Sequence, residues 1–290
     1  MNNLTKNILL FPFNILYKIS PSLTLRILFR IKQGYKLNLK NPETYNEKLQ
    51  WIKLNDKNCL MPICCDKYMV RKFVYEQGAG NILNELYWSG ENPEDIPFDK
   101  LPEKFVIKVT HGSTFNIICK ENGKLNRQKT IKLCRKWLKA KFLPCYGEWF
   151  YGKIKPKVIV EKFLESDDGK QLRDYKVFCF NGEPQYIRID SDRFTEHKND
   201  IFTVNWERVM NANMGFPCSK NDFKKPECLD EMLEYARLLS APFLHARVDF
   251  YIINNVVYFG EITFTNGAGF DKFSSYQFDL EMGNKLKLPM

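Results

Sequence analysis

The segment from Ala246 to Gly269 constrains the fold more than any other part of this chain. Two runs of β-branched, aromatic and other apolar residues flank Asn254-Asn255, a pattern typical of an antiparallel hairpin. Each run contains one acid, Asp249 in the first and Glu261 in the second. A two-residue loop would place Gly260 opposite Asp249 and turn Glu261 to the other face of the sheet. Pairing of the two acids therefore requires an odd-length loop or a β-bulge.

Two carboxylates side by side on a sheet repel each other unless a cation lies between them. Mg²⁺ is commonly held by one or two carboxylates and completed by substrate phosphates. The backbone N–H groups of Asn266-Gly267-Ala268-Gly269, which follow at once, are able to approach an anion. The pattern predicts either a metal–phosphate site or a half-buried hairpin whose acids form other salt bridges. In the first case, removing Glu261 should slightly raise the stability of the metal-free protein.

Composition limits the classes of protein that this chain can be. With 290 residues, 44% apolar residues and 27% charged residues, it can bury a sizeable core. Its nine cysteines include no C-x-x-C pair, and no apolar run approaches 18 residues. We therefore expect reduced thiols, a cytoplasmic location and no membrane-spanning helix. The net charge of +10 suits an anionic partner, but the lysines are dispersed, so we expect no nucleic-acid binding.

Charged residues embedded in apolar strands recur along the chain. Lys108 interrupts the strand predicted at 105–109, and Glu161 interrupts the one at 157–164. Asn181-Gly182 separates two further strands and is a strong hairpin signal. Another predicted strand covers residues 116–119, and the predicted helices cover residues 43–57, 66–74, 128–143 and 229–240. Strand-rich halves with a few crossing helices favour an α+β protein over a parallel α/β sheet.

The first 40 residues are basic and apolar. Ser20-Pro21 predicts the start of a helix, with Ser20 as the N-cap. The pattern allows two uses of this segment. It docks onto the protein's own core, or it lies on an anionic membrane surface as a peripheral contact at the inner face.

Six phrases of this sequence, in this order, resemble the TupA-like group of the ATP-grasp superfamily, which is associated with teichuronopeptide and polysaccharide biosynthesis. The resemblance runs from about residue 33 to the C-terminus. The phrases are Asn46-Glu-Lys-Leu-Gln-Trp51, Asp66-Lys-Tyr-Met-Val-Arg71, Phe105-Val-Ile-Lys-Val-Thr-His-Gly-Ser113, Leu172-Arg-Asp-Tyr-Lys-Val-Phe-Cys-Phe-Asn-Gly182, Asp190-Ser-Asp-Arg-Phe194 and Phe259-Gly-Glu-Ile-Thr-Phe264.

The resemblance implies an ATP-grasp fold in which two α+β lobes with antiparallel sheets sandwich ATP. It implies a helical N-terminal region at 1–75, a first lobe at 76–160 and a second lobe with the metal site at 161–290. It also implies an ATP-dependent, ADP-forming ligase that makes an amide through an acylphosphate. The expected substrates are an amine or amino acid and a uronic acid of a bacterial capsular or cell-wall polysaccharide, or its precursor.

The resemblance also implies roles for particular residues in binding ATP. Lys67 and Lys108 would contact the nucleotide phosphates, and His111-Gly112-Ser113-Thr114 would be the flap over them. Glu161-Lys162-Phe163-Leu164 would be the hinge that recognises adenine.

Three metal ligands and three catalytic cations complete the site that the resemblance implies. Asp249, Glu261 and Thr263 would hold Mg²⁺, with Thr263 standing where the superfamily usually has Asn. Arg247 would stabilise the charged acyl intermediate, and we assign Lys176 and Arg193 as further candidate catalytic residues.

Two other functions compete with the ligase. Asp190-Ser191-Asp192 is an Asp-x-Asp pattern, by which many glycosyltransferases hold a metal and a nucleotide-sugar, although a turn stabilised by side chains is the plainer interpretation. A membrane-associated scaffold with an inactive ATP site is the other. Three histidines, at 111, 197 and 245, leave little room for a zinc site or a catalytic triad.

Overall fold

The fold consists of two antiparallel sheets and the helices that cover them. The computed structural model describes residues 3–112, 114–166, 172–191, 196–210 and 212–289, with side chains from residue 9 onward. Within these ranges the α-helices are α1 (Asn3–Ile19), α2 (Pro21–Gln33), α3 (Tyr45–Asn55), α4 (Leu60–Cys65), α5 (Val70–Glu76), α6 (Arg127–Leu138), α7 (Leu229–Ser240) and α8 (Tyr276–Lys285). The strands are β1 (Leu86–Gly90), β2 (Phe105–Val109), β3 (Asn116–Cys119), β4 (Val158–Lys162), β5 (Asp174–Phe180), β6 (Glu183–Ser191), β7 (Lys198–Thr203), β8 (His245–Ile253) and β9 (Val256–Thr263).

The smaller sheet has the strand order β1-β4-β2-β3. Its apolar face, which includes Phe105, Ile107 and Val160, packs with Cys134 of α6 in one core. Because side chains alternate between the faces of a strand, Lys108 lies on the opposite face, and the β2–β4 register puts Glu161 there too. The charges embedded in these strands therefore mark the face that is not covered by α6.

The larger sheet has the strand order β7-β6-β5-β8-β9. Helix α7 covers one face, where the Cys179 thiol of β5 contacts the Ala236 carbonyl oxygen. On the other face, Phe178 and Phe180 of β5 pack against Tyr45 of α3. Residues further along the same face are charged, so one end of this face belongs to the core and the other to a polar site.

Two turns with left-handed residues set the register of the larger sheet. Asn181 (φ +52°) and Gly182 (φ +83°) join β5 to β6, as the sequence predicts. Asn254 and Asn255, at φ +51° and +61°, join β8 to β9 in a two-residue loop.

A β-bulge shifts the register of β8 and β9 by one residue. The register shifts between Asp249 and Phe250, so that Asp249 pairs with Glu261 and Gly260 is the extra residue. A Cβ atom at Gly260 would lie 2.8 Å from the Asp249 carbonyl oxygen, which explains why glycine stands at the bulge. The pairing of the two acids is confirmed, and it is achieved by the bulge and not by an odd-length loop.

The N-terminal helices dock onto the rest of the chain. Ser20 caps α2, as predicted, and Leu25 and Phe29 of α2 are buried in a cluster with Phe270. Helices α3 to α5 share their core with the larger sheet, and β4 crosses residue 160. The division at residues 75 and 160 stays a prediction. No helix in the described part of the chain is long and apolar enough to cross a membrane.

Among the described α-helices and strands after residue 75, three were not predicted from the sequence. They are β1, β7 and α8. Strand β1 is only half-buried and β7 carries Lys198, Asn199 and Asp200, so neither shows a clear apolar alternation. Helix α8 contains Gly283, which approaches the backbone of Glu43 and Thr44 too closely for a side chain.

Candidate active site between the two sheets

A row of charged side chains occupies one end of the larger sheet, on the face away from α7. Asp249 of β8 lies directly opposite Glu261 on one side and Lys176 on the other. Directly opposed residues share a face of an antiparallel sheet. The same face carries Asp174, Arg188, Asp190, Arg247 and Thr263.

The Arg247 guanidinium lies between the two paired acids. Its Nε is 2.7 Å from Asp249 Oδ1 and its Nη2 is 2.7 Å from Asp249 Oδ2, a bidentate pair. The same Nη2 is 3.5 Å from Glu261 Oε1. The repulsion expected from the sequence is therefore offset by a cation of the chain itself, and does not by itself require a metal.

Lys176 extends this network across the sheet. It is 5% exposed, and its Nζ lies 3.3 Å from Asp249, 3.4 Å from Asp190 and 3.6 Å from Asp174. Lys176, a candidate catalytic residue from the sequence, is thus buried among three acids.

Glu261 is ionised while it faces the cleft. Burial raises its pKa, but Lys67 and Arg247, with further cations, outweigh that effect and lower the pKa to about 2. The side chain is nevertheless 39% exposed. The environment therefore favours the charged carboxylate, and from it we expect the opposite of the stabilisation that the sequence predicted for removal of Glu261.

Lys67 connects the two sheets. Its Nζ donates to the Gly112 carbonyl oxygen at 2.9 Å, in the loop after β2, and lies 3.7 Å from Glu261 Oε2. A phosphate at this position would meet Lys67 and Arg247 together.

The donor atoms near Glu261 suit a hard divalent ion. Thr263 Oγ1 donates to Glu261 Oε1 at 3.4 Å and accepts from Arg247 Nη2 at 3.1 Å. Carboxylate and hydroxyl oxygens are ligands that Mg²⁺ takes, although Arg247 already engages both Asp249 oxygens. Within the described ranges, no group of three His, Cys, Asp or Glu side chains forms a metal site alone. An ion held here therefore needs substrate oxygens, and the metal roles of Asp249, Glu261 and Thr263 stay predictions.

Lys108 and Glu161, the two residues of the smaller sheet that the resemblance predicts to contact ATP, form an ion pair with each other. Lys108 Nζ lies 2.7 Å from Glu161 Oε2, and Arg71 Nη1 lies 3.2 Å from Glu161 Oε1. Arg71 belongs to one of the six phrases, but its role was missed because a single basic residue on a helix has no distinctive spacing.

The predicted adenine site is nearly closed. Lys108, Glu161 and Leu164 line a cavity of about 30 Å³ together with Tyr251 and Phe259. A water molecule needs roughly 10–15 Å³, so a purine base requires this cavity to open.

The backbone of the predicted hinge is already engaged, because the Lys162 carbonyl oxygen accepts from Asn84 Nδ2 at 2.9 Å. Neither Lys162 nor Phe163 lines the small cavity. Their adenine roles stay predictions.

The predicted flap follows β2 in a tight loop. His111 Nε2 is hydrogen-bonded to the Ala140 carbonyl oxygen, and Gly112 lies so close to the Phe115 ring that a Cβ atom there would clash. Thr114 has a φ of +64°, which costs energy for a non-glycine residue. Ser113 lies outside the described residues.

Asp190, from the Asp-x-Asp pattern, is a buried member of the ion network. It is 2% exposed, and Arg188 Nη2 donates to its Oδ2 at 3.2 Å. Asp192 and the candidate catalytic residue Arg193 lie outside the described residues. Asp190 itself is therefore not an accessible metal ligand in the described part of the chain.

A cavity of about 600 Å³ opens beside Glu261 and reaches the N-terminal helices. It is far larger than the adenine cavity and has the volume of an ordinary ligand site. The charged residues that line it are Lys32, Lys67, Lys141, Glu148, Arg247 and Glu261. Lys32 is the contribution of α2 to this lining. Glu148 was not predicted from the sequence, because a single acid in a loop forms no recognisable pattern.

The profile of the TupA-like ATP-grasp proteins matches residues 47–287. The chain belongs to the TupA-like ATP-grasp family. This match confirms the resemblance and the expected α+β ATP-grasp fold, with helices before the first lobe. No curated protein matches the sequence.

Solved structures resemble this family member in fold. An L-amino acid ligase from Bacillus licheniformis is 13% identical with a TM-score of 0.51, covering 93% of this chain and 62% of its own. A D-alanine–D-alanine ligase from Bacillus anthracis is 15% identical with a TM-score of 0.43, covering 71% and 58%. A D-alanine–D-alanine ligase from Helicobacter pylori is 18% identical with a TM-score of 0.40, covering 78% and 62%. The chain thus spans less than two thirds of the length of these relatives.

Glu261→Gln tests the electrostatic description of the site without any substrate. A pKa lowered from 4.5 to about 2 means that Glu261 contributes stability above pH 4.5, which is lost as the pH falls towards 2. After discounting for its exposure, we expect Glu261→Gln to lower the free energy of unfolding at neutral pH by roughly 1 kcal/mol. Urea denaturation at neutral pH and at about pH 3 measures both effects.

The matched control is Glu165→Gln, which removes an acid whose side chain is 51% exposed and paired with Lys104. We expect almost no change in stability for this control. A gain of stability in Glu261→Gln would instead support the repulsion between the two acids that the sequence predicts. It would contradict the stabilisation of Glu261 by Lys67 and Arg247.

Proposed function

We propose that this TupA-like ATP-grasp protein is an ATP-dependent ligase that joins a carboxylate to an amine and releases ADP and phosphate. The proposed carboxylate is a uronic acid of a capsular or cell-wall polysaccharide or of its precursor, and the proposed amine is an amino acid or another amine. The observation that carries this proposal is the charged face of the larger sheet, where Arg247, Lys176 and Lys67 surround Asp249 and Glu261 beside a large cavity.

This set of side chains suits phosphoryl transfer. Making an amide in water is uphill, so the carboxylate must first be activated by ATP as an acylphosphate. That step needs positioning and charge neutralisation more than it needs a protein nucleophile. Arg247 and Lys176 are cations held rigidly by acids, and a preorganised cation stabilises negative charge as it develops. A bound Mg²⁺ would supply further neutralisation of the phosphates, with Glu261, Thr263 and Asp249 as its protein ligands.

Nucleotide binding in this proposal begins by breaking the Lys108–Glu161 pair. Lys108 then turns to the phosphates and Glu161 accepts from the adenine amino group. Arg71 remains to hold Glu161 in place. The closed cavity beside Leu164 supports such a rearrangement, since a base has no room until these side chains move.

The large cavity is the proposed place of the carboxylate substrate. Lys32, Lys67, Lys141 and Arg247 line it and suit an anionic sugar. Five phenylalanine and tyrosine rings are among the same lining residues, and they suit the apolar faces of a sugar: Phe115, Phe142, Tyr146, Tyr151 and Phe270.

A panel of uronic-acid glycans and amines, with ADP, AMP and phosphate measured as products, tests the reaction. We expect ADP and phosphate only when ATP, a uronic acid and an amine are all present, and a hydroxamate when hydroxylamine replaces the amine.

Lys108→Ala should weaken nucleotide binding at least tenfold, because it removes a phosphate contact. Arg247→Lys should cut the rate by at least tenfold with little effect on ATP affinity, because a lysine cannot make the bidentate pair.

AMP as the product, or a phosphosugar formed without amine, would contradict the ligase. Lys104→Ala is the control for both lysine and arginine variants, since it removes an exposed cation that pairs with Glu165 outside the cleft.

We further propose that the protein works in the cytoplasm and contacts the anionic inner membrane surface through α1 and α2. Its nine cysteines are free thiols, as in a reducing compartment. Phe11, Ile15 and Ile19 form a stripe at four-residue spacing on α1 and are 62%, 48% and 77% exposed. Residues 1–42 contain basic side chains but no acid. An apolar stripe within a wholly basic segment is the composition that binds anionic lipid.

Vesicle co-flotation tests this contact. We expect binding to phosphatidylglycerol vesicles that weakens with salt, and no binding to phosphatidylcholine vesicles. Changing Phe11, Ile15 and Ile19 together to Gln should reduce binding at least tenfold, because apolar burial is lost. The control changes Tyr75 and Leu238, which are exposed elsewhere, to Gln. Absence of binding, or self-association through the stripe in place of binding, would refute the membrane contact.

A further inference from the structure

The large cavity contains one acid that the proposed site does not use. Glu148 lines it, just before the short 3-10 segment Trp149–Lys153. The other acid in the lining, Glu261, is held by Lys67 and Arg247. The remaining charged side chains of that lining are cations. A cavity that receives an anionic substrate through its cations therefore also presents a separate carboxylate.

Glu148 lies close to the charges of the proposed site. Thr265 Oγ1 donates to Glu148 Oε1 at 2.5 Å. Thr265 lies two residues after Thr263, whose hydroxyl contacts Arg247. The charges of Glu148, Glu261 and Arg247 all act on Tyr151, and these four side chains line the same cavity.

The surroundings of Glu148 suit an ammonium group. Burial lowers the pKa of the neighbouring Lys53 to about 7, and the negative charge of Glu148 opposes that shift. Tyr146 and Tyr151 line the same cavity. Carboxylates and aromatic rings together are the usual receptors for ammonium groups.

We propose that Glu148 binds the ammonium group of the amine co-substrate and receives the first of the two protons that it loses on reaction. This inference rests on the ligase reaction proposed above. Transfer of that proton frees the lone pair of the amine nitrogen, which forms a bond to the acyl carbon. The bond from that carbon to the phosphate oxygen breaks, and phosphate leaves with the electron pair and the second proton. Thr265 is a positioning residue that orients the Glu148 carboxylate.

Calorimetric titration of the full chain saturated with Mg²⁺ and a non-hydrolysable ATP analogue, AMP-PNP, tests this site. The probes are glycine, L-lysine and ethanolamine, each compared with its N-acetyl derivative. We expect at least one free amine to bind and none of the acetylated forms to do so. Glu148→Gln should weaken that binding at least tenfold while leaving AMP-PNP affinity unchanged, and Thr265→Val should weaken it less.

Glu121→Gln is the matched control, since Glu121 is paired with Lys124 at the surface. AMP-PNP binding also reports whether each variant folds. If Glu148→Gln does not fold, Thr265→Val tests the same site, because it keeps the Glu148 charge. Equal amine binding in Glu148→Gln, or no amine binding to the wild type, would overturn the amine site alone. Failure of the wild type to bind AMP-PNP would instead overturn the proposed ligase.

Discussion

The buried ion pair between Arg247 and Asp249 organises the site. Two parallel contacts of 2.7 Å fix the guanidinium on the sheet, and the same group reaches Glu261, Thr263 and Asn266. Burying a charge is costly unless it is paired and hydrogen-bonded, so removing one member of such a pair costs roughly 3–5 kcal/mol. A buried ion pair of this kind holds the Arg247 side chain rigidly. Phosphoryl transfer also needs such rigidity, because a cation already in position before the reaction does not have to reorganise.

The second organising feature is that the two sheets meet through charges and not only through apolar packing. Lys67 touches the loop after β2 and the end of β9, while Lys108 and Glu161 satisfy each other on the smaller sheet. A ligand with phosphates and a base can replace both sets of contacts with its own. In the proposed function, a nucleotide therefore binds by replacing contacts that connect the two sheets.

Much of this arrangement could be predicted from the sequence, because strands impose a period of two. The charge at Lys108 and the turn at Asn181-Gly182 follow from that period together with turn chemistry, whereas the pairing of Asp249 with Glu261 interrupts the period. The period of two predicts that the acids pair only if the loop has an odd length or a strand has a bulge. Gly260 provides the bulge. The same period places Arg247 on the face of Asp249, but it does not predict that the guanidinium contacts both acids, because the side-chain rotamer is set by packing.

Residues brought from distant segments were missed for a related reason. Arg71 and Glu148 reach the site from loops and a short helix, where no periodicity marks a functional side chain. Asn266 was noted for its backbone, whereas in the structure its side chain contacts Arg247. Long-range contacts of this kind depend on how the helices and loops pack on the sheets, which a single sequence does not reveal.

Anomalous diffraction from a crystal of the protein with AMP-PNP and Mn²⁺ in place of Mg²⁺ tests the central claim most directly. The claim is that the charged face of the larger sheet receives the nucleotide phosphates and their metal. The predicted result is a Mn²⁺ peak between Glu261 and the phosphates, about 2.0–2.3 Å from a Glu261 oxygen, with Lys108 turned from Glu161 to the nucleotide. A nucleotide bound elsewhere, or a metal peak away from Glu261 with the Lys108–Glu161 pair intact, would contradict it.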